Sequence, residues 1–210
     1  MTAFIIIVIV VGFIGLIIAS VILGRRTRGD LFASLKRLGL NPQMAERGRP
    51  EEYIGEDWKG KSQGLIEIQG SPIRWVNVLK EERQDDSDVY TNVYLVPSPS
   101  RYAKAYDVVE SVREKSVPTF GRVVAIRWKA NFEGDLIRRI NEDVSLKESL
   151  IKLNEDVTIR STPEYGCWAI VSRRYPTSWF GLPCRQRAPS RAQWECYETI
   201  TRHLLESSGK

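Results

Sequence analysis

One histidine and three cysteines in 210 residues leave little material for a metal centre or for acid–base catalysis. The cysteines, Cys167, Cys184 and Cys196, are odd in number and fall in no paired spacing, which excludes a disulfide scaffold. No Asn-x-Ser/Thr sequon, internal repeat or low-complexity stretch occurs. With 42% apolar and 27% charged residues the chain is neither disordered nor collagenous. The sharpest absence is local. Between Ala3 and Leu23 there is no charged residue, and 18 of 21 positions are apolar, with Gly12, Gly15 and Ser20 excepted.

As a helix this run spans about 31 Å at ~1.5 Å per residue, close to the ~30 Å hydrocarbon core of a bilayer. It therefore predicts a transmembrane anchor over residues 1–24. A cleavable signal peptide would put basic residues before a shorter apolar stretch, whereas here Arg25, Arg26 and Arg28 follow it. Positive charge on that flank places the C-terminal part on the cytoplasmic side of the cell (inner) membrane, with the N-terminus outside. Gly15 with Ala19, and Ser20 with Gly24, form small-xxx-small pairs suited to helix contact, so a protein partner or a homo-oligomer through the anchor is expected.

The formal charge of +5 is concentrated behind the anchor. Residues 24–49 hold seven Lys/Arg against Asp30 and Glu46, while residues 50–210 hold 24 of each sign. A neutral domain argues against nucleic acid as the partner. Residues 25–50 read as a basic juxtamembrane helix, with Leu31, Phe32, Leu35 and Leu38 on one side, followed by a Pro- and Gly-containing linker. Arg25, Arg26, Arg28, Lys36 and Arg37 are the expected lipid-surface contacts.

Residues 51–206 read as one α+β domain, with a four-residue tail at 207–210. Strands are predicted over 65–69, 73–80, 89–96, 120–128, 157–160 and 167–174, the last two as a hairpin around Pro163. Helices are predicted from Ser100 to about Glu114, around Leu136–Ile140, from a capping box at Ser145–Glu148, and from a second capping box at Ser190–Gln193. The expected architecture is the anchor, then a mixed α/β domain with antiparallel strand pairs and a C-terminal helix.

One motif matches chemistry letter for letter. Gly55-Glu-Asp-Trp-Lys-Gly60-Lys61-Ser62 fits the phosphate-binding pattern G-x-x-x-x-G-K-[ST]. That chemistry needs a buried strand before the loop and a helix after it. Here a polar stretch precedes Gly55 and an alternating, strand-like stretch follows Ser62, so the residues read better as a turn opening a strand. His203 stands seven residues after Cys196 on one predicted helix, about 10 Å along it, which excludes a direct dyad. No metal-ligand spacing is present, and neither metal nor cofactor is expected.

The most unusual composition lies at 160–191, where six arginines and five aromatics meet a single acid, Glu164. Arginine and aromatic side chains are favoured at protein interfaces. Arg173, Arg174, Trp179, Phe180, Arg185 and Arg187 are therefore the expected interaction residues. The sequence thus predicts a single-pass, membrane-anchored accessory or scaffolding protein with a cytoplasmic interaction domain. The alternative is a membrane-tethered nucleotide-binding enzyme using Gly55, Gly60, Lys61 and Ser62.

Overall fold

The computed structural model describes residues 27–82, 88–98, 107–115, 123–172 and 188–207. The apolar run of residues 3–23 lies outside them, as do Arg25, Arg26 and the anchor pair Gly15 and Ala19. Among the described residues no helix is long and apolar enough to cross a membrane.

Helix α1 (Thr27–Arg37) leads into a short strand β1 (Asn41–Met44), a 3-10 turn (Pro50–Tyr53) and a four-residue helix α2 (Glu56–Lys59). Three long strands follow, β2 (Lys61–Gln69), β3 (Trp75–Glu82) and β4 (Asp88–Pro97), then β5 (Val108–Lys115) and β6 (Val123–Ala130). Helices α3 (Asp135–Glu142) and α4 (Val144–Leu153) precede strand β7 (Val157–Thr162), a 3-10 turn (Pro163–Tyr165) and strand β8 (Cys167–Ser172). Helix α5 (Arg191–Ser207) closes the chain.

All eight strands form one antiparallel sheet in the order β1-β2-β3-β4-β8-β7-β5-β6. The last strand in sequence is thus inserted between β4 and β7. Its residues Cys167 to Val171 are all buried, which suits a strand with neighbours on both edges and cover on both faces. Period-two alternation sorts the side chains. Tyr94, Val96, Trp168 and Ile170 join Leu31, Leu35, Leu146, Leu150 and the α5 stripe Trp194, Tyr197, Ile200 and Leu204 in the main core. Leu79, Val93, Leu95, Ala169 and Val171 point to the other face, where Ile54 and Trp58 lie over them.

Three local expectations are corrected. Residues 108–115 form a strand, not the end of a helix begun at Ser100. Val109 and Ser111 are buried in alternation, and pairing with both β6 and β7 outweighs the weak helical spacing. Helix α4 is capped by Asp143, whose carboxylate accepts from the Leu146 N–H at 2.8 Å, and not by Ser145. The stretch read as juxtamembrane helix and linker is packed into the domain. Leu31 and Leu35 are fully buried, and residues 41–44 pair with β2. The predicted cap at Ser190 is present: its hydroxyl accepts from the Gln193 N–H at 3.1 Å.

Among the described residues β6 is the last strand of the sheet, and a side chain caps part of its outer edge. Asn141 accepts from the Trp128 N–H at 2.9 Å and donates to the Trp128 carbonyl at 3.0 Å, copying the two bonds of a neighbouring strand.

Candidate functional site

Residues Gly55 to Ser62 have a role in the fold that the sequence motif does not name. Gly55 takes a left-handed conformation (φ +100°) close against Leu79, and Gly60 (φ +109°) lies so near strand β3 that a Cβ would stand 2.3 Å from the Lys80 carbonyl oxygen. A one-turn helix precedes Lys61 and a strand begins at it, the reverse of the order that a phosphate cradle requires. Lys61 is exposed at the start of β2. Ser62 has its backbone N–H on Glu56 Oε1 at 2.8 Å and its hydroxyl on Asn77 Oδ1 at 2.7 Å. Buried Asn77 in turn donates to the carbonyls of Glu52 (2.8 Å) and Ile54 (3.0 Å), which pins residues 52–54 to the sheet.

The expected lipid contacts divide. Lys36 and Arg37 are exposed, and Arg37 donates to Ser34 Oγ at 2.8 Å. Arg28 is half-buried. Its guanidinium donates to the carbonyls of Ala45 and Leu65 in the space left by Gly64, where a Cβ would lie 2.7 Å from its Nη1. Burial, with Arg47 nearby, lowers its pKa. Glu52 completes this corner. Burial pushes its carboxyl up, but hydrogen bonds from Arg47 and the Gly48 N–H outweigh that and hold it below the usual carboxylate range. Arg25, Arg26, Arg173, Arg174, Trp179, Phe180, Arg185 and Arg187 lie outside the described residues.

A cleft of about 560 Å³ opens on the sheet face opposite the main core, between the 53–58 segment and the end of the β7–β8 hairpin. Trp58 and Arg160 form its wall, with the guanidinium carbon 4.7 Å from the indole centroid. Arg160 comes from β7, where it lies opposite Val108 on one side and Ala169 on the other. Its Nε is buried and, among the described residues, has no hydrogen-bond partner. Tyr53, 54% exposed, and half-buried Tyr165 add aromatic surface. Tyr165 is set by the turn Pro163–Gly166, closed by a Gly166 N–H bond to the Pro163 carbonyl at 3.1 Å. Exposed Glu56, Asp57 and Glu164 line the cleft as well.

No family model matches the chain, and no significant match is found among curated proteins or solved structures.

The titratable groups elsewhere are structural in character. Burial pushes the thiols of Cys167 and Cys196 up to about 12, far from the thiolate that nucleophilic catalysis needs. His203 Nε2 donates to Asp143 Oδ2 at 2.8 Å, joining α5 to the start of α4, and not to a cysteine. Among the described residues no group of three His, Cys, Asp or Glu is placed to hold a metal ion.

The 160–191 stretch stands out in the sequence, but no local pattern selects Arg160 or pairs it with Trp58. The available signal was a lone arginine inside Val157-Thr-Ile-Arg160-Ser-Thr, a strand otherwise free of charge.

Proposed function

We propose that this chain is a single-pass, membrane-anchored accessory protein presenting a cytoplasmic interaction domain at the membrane face, with the Trp58–Arg160 cleft as a point of partner contact. One observation carries the reading: an arginine lying over tryptophan, with no ion pair among the described residues, in an open cleft beside exposed Tyr53. Such Arg, Trp and Tyr clusters are what protein interfaces concentrate at their centres.

The uncharged run at 3–23 and the arginines after it support the anchor. Only Gly24, Arg25 and Arg26 then separate the run from α1, whose Leu31 and Leu35 are fully buried in the domain core. A bilayer-spanning run would hold the sheet close to the lipid surface rather than on a long tether. The alternative enzyme reading draws no support from the geometry at Gly60, Lys61 and Ser62.

The test is site-specific photo-crosslinking in native membranes. A crosslinker at Tyr53 should capture a discrete protein species that one at exposed Val144, on helix α4, does not, and Trp58→Ala should abolish the capture. Identical patterns from both positions, or none from either, would reject the reading.

A further inference from the structure

The cleft is mixed in charge, and its charges are unequally engaged. Three carboxylates, Glu56, Asp57 and Glu164, belong to exposed residues that line it, and Glu56 already accepts from the Ser62 N–H. Arg160, on β7, supplies the opposite charge. Among the described residues it makes no ion pair, and its Nε lacks an acceptor. Nε itself is closed off, but the Nη atoms make no hydrogen bond among the described residues and keep accessible surface, so the site favours a ligand that brings oxygens to them. Guanidinium geometry suits a carboxylate, which accepts two parallel N–H bonds.

A simple anion would meet the repulsion of three carboxylates as well as the attraction of Arg160. A purely cationic ligand would satisfy the rim and leave Arg160 unpaired. A ligand of both signs fits both, and the rings of Tyr53 and Tyr165, which also line the cleft, add apolar surface.

Resting on the reading of the cleft as a partner contact, we propose that it takes a peptide segment in which one carboxylate is flanked by basic residues. The carboxylate pairs with Arg160, the flanking cations meet Glu56, Asp57 and Glu164, and an aromatic or aliphatic side chain lies over Tyr53 and Tyr165. The volume of about 560 Å³ lies in the range of small-ligand clefts, room for the carboxylate-bearing residue rather than for the whole segment.

The experiment uses the full-length chain in a non-ionic detergent and three blocked hexapeptides: Lys-Lys-Phe-Glu-Lys-Lys, its Gln counterpart Lys-Lys-Phe-Gln-Lys-Lys, and the all-acidic Glu-Glu-Phe-Glu-Glu-Glu. Calorimetry or anisotropy should give an affinity for the first at least about tenfold above that for the second, the scale of one charge-assisted pair. Arg160→Gln should abolish that ratio, with near-UV circular dichroism reporting the fold. Arg160→Lys, which keeps the charge and loses the fork, should fall between. Joint replacement Asp57→Asn with Glu164→Gln should weaken both lysine peptides by similar factors.

A ratio near one, a ratio that survives Arg160→Gln, or tightest binding of the all-acidic peptide overturns the proposal. Should Arg160→Gln not fold, the wild-type ratio and the Arg160→Lys value decide. Crosslinking from Tyr53 combined with a ratio of one would discard this ligand chemistry and keep the contact reading. Loss of both removes both.

Discussion

The Ser62 hydroxyl donates to the side-chain carbonyl of Asn77 at 2.7 Å, and the same carboxamide donates to two backbone carbonyls of the segment that builds the cleft, Glu52 and Ile54. One buried residue on β3 therefore fixes both the end of the Gly-Lys-Ser turn and the path leading to Trp58. A hydroxyl committed in this way is not disposed to hold a nucleotide-bound metal ion.

Replacing Asn77 by Ala should destabilise the domain by about 2–4 kcal/mol, because two buried carbonyls and the Ser62 hydroxyl lose their partner together. Denaturant unfolding measures it, and a change below about 0.5 kcal/mol would show that Asn77 does not pin the segment. Lys61→Ala, at an exposed position, should stay within about 0.5 kcal/mol of wild type. Affinity for ATP with Mg²⁺ that Lys61→Ala abolished would restore the phosphate-loop reading.

Gly60→Ala and Gly70→Ala offer a paired comparison. Both glycines have positive φ, +109° and +76°, but a Cβ at Gly60 would collide with the Lys80 carbonyl while Gly70 has nothing within 4 Å. Gly70→Ala should cost about 1 kcal/mol, the strain of the backbone conformation alone, and Gly60→Ala clearly more. Equal midpoint shifts would remove the close approach of the turn to β3.

Asp143 gives the domain a pH dependence with a definite sign. Burial raises its carboxyl pKa, but hydrogen bonds from His203 and the Leu146 N–H prevail, so the folded value lies below the usual one. A depressed carboxyl contributes stability that is present above its unfolded pKa of ~3.9 and lost as pH falls through the folded value. Asp143→Ala should be about 1–2 kcal/mol less stable than wild type near neutral pH, and the gap should narrow below about pH 4. A gap that is constant from neutral pH to pH 3 would contradict the pairing.

Cys167 and Cys196 should resist alkylation in the folded chain. Thiols pushed up to about 12 expose roughly a thousandfold less thiolate than an ordinary cysteine at pH 8. In a Cys184→Ser background, iodoacetamide should label only after denaturant is added. Rapid native labelling of either would mean that the site opens.

The sheet edge at β6 should depend on Asn141. Asn141→Ala frees the Trp128 N–H and carbonyl on an edge strand, so a stability loss of about 1–2 kcal/mol and faster aggregation are expected, read by unfolding and by light scattering. Unchanged values in both would show that other contacts guard the edge.

By itself the sequence determined what short-range periodicity can encode. The hairpin around Pro163, the strand over 89–96 and the C-terminal helix from Ser190 are all legible, because residue type, turn and cap leave their mark within a few residues. It likewise marked an uncharged run at 3–23 and the lone Gly-Lys-Ser match. Tertiary structure decided what depends on distant neighbours. Val108–Lys115 is a strand because β6 and β7 flank it, and α1 belongs to the domain because the sheet buries Leu31 and Leu35. Arg28 turns inward because Gly64 leaves it room. Above all, Trp58 and Arg160 share one cleft only because β8 is inserted between β4 and β7, which brings the β7–β8 hairpin beneath a segment that Asn77 holds on the same face. No local pattern carries that pairing, since its two residues meet through the order of the strands.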